Sequence, residues 1–90
     1  PEWYPQEFDA VGRVQRIDRV GGEMVAGDRY FRIARDAQVH SLKTPDDTLL
    51  SVQEGTLLGV RAYRLENGQR LMTEAWILPG TYTPPEADEE

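Results

Sequence analysis

The chain has 90 residues, enough for one domain and too few for two. It contains no cysteine, which excludes disulfides and thiolate chemistry and argues against most zinc sites, and no apolar run approaches the roughly 20 residues of a membrane-spanning helix. The formal net charge is -6, yet between residues 10 and 80 ten basic residues stand against nine acidic ones, so the acidity lies in the ends, in Glu2, Glu7, Asp9, Glu86, Asp88, Glu89 and Glu90.

Nine of the ten basic residues are arginine, which pairs bidentately with carboxylates and stacks on aromatic rings. An arginine-rich but nearly neutral body points to protein contact or internal ion pairing and argues against nucleic acid. The start at Pro1 rather than Met points to a processed or trimmed product.

Residues 1–7 read as an irregular lead-in that holds Trp3 and Tyr4 between two prolines. Phe8, Ala10, Gly12 and Val14 then alternate with polar or exposed positions, as on a half-buried strand. Ile17 follows Val14 by three and breaks that alternation, so a bulge or bend is expected there. Arg13, Arg16 and Arg19 fall on alternating faces unless that bulge realigns them. Gly21-Gly22 marks a turn, residues 23–26 a short strand, and Gly27-Asp28 a second turn into a strand at 29–33 with Phe31 and Ile33 on one face. A separate short strand is expected within 36–42, with Ala37 and Val39 inward. The Thr44-Pro45-Asp46-Asp47 cluster is a turn, and Thr44 or Asp46 is placed to cap a single helical turn reaching Val52.

The strongest local signal is Asn67-Gly68 between strand-like runs at 56–66 and 69–78. Asn-Gly favours a two-residue type I′ turn because both central residues need positive φ. That turn predicts a register with Val60 facing Ala75, Leu58 facing Ile77, Ala62 facing Thr73 and Arg64 facing Leu71. Leu58, Val60, Ala75 and Ile77 then point inward. The opposite face pairs Tyr63 with Met72, Arg61 with Glu74, and Gly59 with Trp76. Tyr63, Met72 and Trp76, flanked by Arg61 and its charge-matched partner Glu74, make an apolar and aromatic patch. It is either an outward partner-binding face or a second small core covered by Trp3, Tyr4 or the proline-containing tail. Residues 81–90 form that acidic tail, whose composition predicts disorder.

Five or six short strands joined by tight turns predict an all-β domain over residues 8–80: a small barrel, OB-like or SH3-like, with short disordered termini. A small sandwich is the alternative. His40, the only histidine, reads as an exposed strand-end residue rather than a general base or metal ligand. Ser41 and Ser51 lack a nucleophile-elbow context, and Asp46-Asp47 lack the spacing of a calcium loop. The glycines lack the strand, loop and helix of a phosphate cradle. No catalytic, cofactor-binding or metal-binding set is therefore assigned.

The order Gly12-x-Val14-x-x-Ile17-Asp18, a glycine turn, Phe31-x-Ile33, Asp36-Ala37-x-Val39, Gly55, and an Asn-Gly hairpin closing on Ala75-Trp76-Ile77 resembles small β-barrel domains of secreted bacterial proteins. Some of these are accessory proteins encoded beside type IV pilus genes, next to the large PilY-type adhesin. The resemblance spans residues 8–79 and carries over no catalytic residue. It implies a non-enzymatic, periplasmic or otherwise extracytoplasmic role in pilus biogenesis or envelope assembly, with another protein as partner; a cytoplasmic location is the alternative. The alternative is an OB-like module that binds single-stranded nucleic acid on aromatics and a basic groove.

Overall fold

The computed structural model describes residues 4–5, 7–42 and 46–82. Five strands follow in order: β1 (Ala10–Asp18), β2 (Glu23–Ala26), β3 (Arg29–His40), β4 (Leu57–Arg64) and β5 (Arg70–Ile77). Among the described residues a single 3-10 turn, Leu49–Ser51, lies between β3 and β4. Among the described residues no helix is long and apolar enough to cross a membrane.

The strands close into a barrel in the order β1-β2-β3-β5-β4, with β4 returning to β1. Every neighbouring pair is antiparallel except β3 and β5, which run parallel. This Greek-key order is OB-like rather than SH3-like, and it leaves no sandwich. The 29–33 and 36–42 segments are one strand, not two. Its pairing with β5 slips between Ile33 and Gln38, so the chain bends there without ending. Ala37 and Val39 face inward as expected, with Val39 in the core and Ala37 packed against it.

The β1 bulge falls at Gln15, between Val14 opposite Ala26 and Arg16 opposite Val25. It turns both Val14 and Ile17 toward the core and leaves Arg13, Arg16 and Arg19 outside. The bulged Gln15 amide grips Asp28 twice: Nε2 donates to Oδ1 at 2.9 Å, and the Asp28 N–H donates to Oε1 at 2.6 Å. Asp28 has φ 63° and Gly27 φ 58°, so this hairpin has the two positive-φ residues of a type I′ turn.

The Asn67-Gly68 hairpin differs from the expected one. Gly68 alone takes positive φ, at 89°. The Gly68 N–H donates to Leu65 O at 2.9 Å and the Leu65 N–H to Gln69 O at 2.7 Å. This is a three-residue loop, a type I turn followed by a left-handed glycine. It shifts the near end of the hairpin by one residue: Arg64 faces Arg70, Tyr63 faces Leu71 and Ala62 faces Met72. A bulge at Thr73 restores the expected register, so Arg61 faces Glu74, Val60 faces Ala75, Gly59 faces Trp76 and Leu58 faces Ile77.

The core holds Val14, Met24, Phe31, Val39, Leu58, Val60, Met72 and Ala75, with Val52 plugging one end. Full burial of each larger side chain contributes about 1.5–3 kcal/mol. Thr48, rather than Asp46, caps the 3-10 turn that delivers Val52, its Oγ1 accepting from the Leu50 N–H at 3.3 Å, while Thr44, the other expected cap, lies outside the described residues. Arg19, just past the end of β1, fastens the same turn by donating to Leu49 O at 3.2 Å and to Val52 O. Arg13 donates to Gly55 O at 2.9 Å. Trp3 and residues 83–90, where part of the expected terminal disorder was placed, lie outside the described residues.

Candidate partner-binding surface

The five residues expected to form one outward patch separate. Met72 is 0% exposed and belongs to the barrel interior, because the Thr73 bulge reverses its side relative to the simple alternation. No partner reaches it there. Trp76 does lie on the outer side, beside Gly59, but is only 4% exposed. Phe8 covers it with ring centroids 5.4 Å apart, and Tyr82 in turn packs edge-on against Phe8 at 6.1 Å. A side chain at position 59 would run into the Phe8 ring, whose atoms lie 2.6 Å from where its Cβ would stand, so the glycine makes room for Phe8. Phe8 thus serves this outer cluster and not the inward face of β1. Tyr4 seals the edge, its hydroxyl donating to Ile77 O at 2.6 Å. Within the expected patch it is Trp76 that is covered, by Phe8 directly and by Tyr82 through Phe8.

His40 is not an exposed strand-end residue. Its ring stacks on Trp76 at 5.2 Å, and Nε2 lies 2.6 Å from Glu74 Oε2. Glu74 therefore pairs with His40 instead of with Arg61, although Arg61 stands opposite it. The Arg61 guanidinium lies 5.6 Å from the centre of the Trp76 ring, a cation–π position. Trp76, His40, Glu74 and Arg61 thus pack together as one aromatic and polar cluster.

Tyr63 is the member that stays open, at 59% exposure. It stands at the rim of a recess of about 300 Å³ that also includes Asp9, Arg29, Phe31, Arg64 and Arg70. The recess exists because three strands begin or end together. β4 delivers Tyr63 and Arg64, β5 starts with Arg70 opposite Arg64, and β3 lies alongside with Phe31 paired to Arg70. Arg29, two residues before Phe31, follows the type I′ turn directly. Buried Phe31 lines the inner wall.

Like charges directly opposite each other on paired strands are destabilising. Arg64 and Arg70 are such a pair, with Arg29 as a third cation on the recess. Among the described residues none of these three arginines lies within ion-pair distance of a carboxylate. Arg64 makes one long contact, Nη1 to Gly68 O at 3.4 Å. Asp9 also lines the recess, but its Oδ2 accepts the Ala62 N–H at 2.9 Å and finishes the β1–β4 ladder. Internal ion pairing is therefore not what these arginines do.

A second outer surface lies across β1, β2 and β3. One cross-strand row holds Arg16, Val25 and Tyr30, and the next holds Asp18, Glu23 and Arg32. In OB-type barrels this is the side that takes oligonucleotides. Here the acidic pair Asp18 and Glu23 stands between Arg16 and Arg32, so it lacks a continuous basic track.

The sequence reading missed Arg29, Arg64 and Arg70 as a group. The signal was present: a three-residue loop at Glu66-Asn67-Gly68 is the next most common hairpin after the two-residue turn, and it sets Arg64 against Arg70 at once. No family model, no curated protein and no solved structure matches the chain.

Proposed function

We propose that this chain is a non-enzymatic adaptor that binds another protein through the recess formed by Arg29, Arg64, Arg70 and Tyr63. The carrying observation is the Arg64–Arg70 pair: two like charges set opposite each other, beside a third, with no carboxylate of the described residues paired to them. A local rule broken without internal compensation is what a binding site leaves in the unbound state. Tyr63 adds an open aromatic of the kind that anchors interfaces. The pattern of glycines and apolar residues set out above supports a setting in the bacterial envelope, in type IV pilus biogenesis, with a pilus-assembly component as partner.

The test replaces Tyr63 with a photo-crosslinking phenylalanine derivative and irradiates the protein in a bacterial envelope extract. One dominant protein adduct, lost in an R64E/R70E background and retained in R16E/R32E, is the expected result. Adducts that ignore the charge reversal refute the reading.

The second reading is a single-strand nucleic-acid module. It draws on the barrel connectivity and on Arg16 and Tyr30 lying on the oligonucleotide side of the barrel. Titration of labelled single-stranded DNA and RNA at low salt separates the two, because phosphate contacts give steeply salt-dependent binding.

A further inference from the structure

The partner's chemistry follows from the recess itself, given the adaptor reading above. We infer that the Arg29–Arg64–Arg70 recess receives an acidic peptide segment, whose side-chain carboxylates pair with the guanidinium groups while Tyr63 packs on its backbone or apolar side chains. Guanidinium forks match carboxylates bidentately, and such charge-assisted pairs are roughly twice as strong as neutral hydrogen bonds. The partner's carboxylates also remove the Arg64–Arg70 repulsion, so the protein's own like-charge penalty is relieved on binding and adds to the affinity.

Three features favour a peptide over a nucleic-acid backbone. The recess is local, about 300 Å³, and does not continue into a basic track, since Asp18 and Glu23 interrupt the β1–β2–β3 side. Asp9 also lines the recess, so an occupant must keep its negative charges clear of that point, which carboxylates spaced along a peptide do and a phosphate at every nucleotide does not. The chain carries a net charge of -6, which repels a long polyanion more than a short acidic segment. A few carboxylates spaced along an extended peptide meet the three arginines without running on over the acidic surface.

The experiment is fluorescence anisotropy on the full chain with a short labelled peptide alternating glutamate and serine. The matched glutamine–serine peptide and a thymidine oligonucleotide of equal charge are the other arms. The glutamate peptide binds, the glutamine peptide does not, and R64Q/R70Q weakens binding at least about tenfold, the effect of losing one charge-assisted pair. R16Q/R32Q makes the same change in net charge elsewhere and leaves binding within about twofold. Thermal melts check folding: R64Q/R70Q holds or raises the melting temperature, because it removes a repulsion.

Equal losses in R64Q/R70Q and R16Q/R32Q overturn the inference by reducing the effect to net charge. A protein adduct captured at position 63 without glutamate-peptide binding overturns it while leaving the adaptor reading in place. Tighter binding of the oligonucleotide than of the peptide overturns both.

Discussion

At the scale of single residues, Trp76 shows how an aromatic on the outer side of a strand becomes part of the interior. Phe8 covers it, His40 stacks against it and Arg61 sits over the ring, so its removal empties a packed site. Trp76→Ala is expected to cost about 3–5 kcal/mol in urea unfolding, the range of buried aromatic truncations. A loss under about 1 kcal/mol would mean the cover contributes little. Tyr4 offers a pH-dependent test. Burial, and secondly the negative charge of Asp47, hold its phenol above the usual tyrosine value. The folded state then keeps this proton more tightly than the unfolded chain. The associated stability is complete below the unfolded value near 10 and is lost as pH rises through the raised folded value. Tyr4→Phe removes the 2.6 Å bond to Ile77 O and is expected to cost about 0.5–1.5 kcal/mol at neutral pH. Above pH ~10 the gap between the two proteins narrows, because only the wild type has this phenol to ionise. Urea midpoints measured on both from neutral to strongly alkaline pH check it.

At the scale of elements, the hairpins show what a sequence exposes and what it conceals. β2 and the Gly27-Asp28 turn were legible because the signal is local: a short apolar run, then two residues suited to positive φ. The β1 bulge was legible because Val14 and Ile17 sit three apart and no neighbouring apolar residue competes for the inward side. The β5 bulge has the same signature in Met72 and Ala75, but Leu71 and Thr73 complete an equally plausible alternation that hides it. The length of β3 and its parallel pairing with β5 were not legible, since both depend on residues far apart in the chain. The recess was missed for a related reason, as Arg64 meets Arg70 only in the three-residue loop. That loop makes its own prediction. Gly68 has φ 89°, so Gly68→Ala is expected to destabilise by at least ~1 kcal/mol in chemical denaturation. A neutral result would show that the hairpin adopts a different turn.

At the scale of the whole molecule, the two ends of the described chain meet over one side of the barrel, through Phe8 and Tyr82. The acidic, proline-containing composition of residues 83–90 gives little apolar surface to bury. A chain ending at Tyr82 is therefore expected to keep its unfolding free energy within about 0.5 kcal/mol of the full chain. A chain ending at Leu78 loses the Phe8–Tyr82 contact and is expected to fall by about 0.5–1.5 kcal/mol, the size of an aromatic pair. Calorimetry on the two truncations checks the contrast. The shorter deletion also moves the formal charge from -6 to -2, so acidic peptides should bind the chain ending at Tyr82 faster at low salt.

Barrel closure has a consequence for how the protein is made. β1, β2 and β3 form a local meander, but Ala10 pairs with Val60 and Phe31 with Arg70, so both outer strands of the meander wait for partners far down the chain. At a synthesis rate of about 5–20 residues per second, the stretch from His40 to Ile77 takes roughly 2–7 seconds to emerge. Through that interval the nascent sheet has two unpaired edges, each a template for a neighbouring chain. Arg13 and Arg16 on one edge strand, and Arg32, Arg35 and Asp36 on the other, are exposed charges that make such pairing costly. Before the ring closes, these side chains guard the half-made barrel against its own copies.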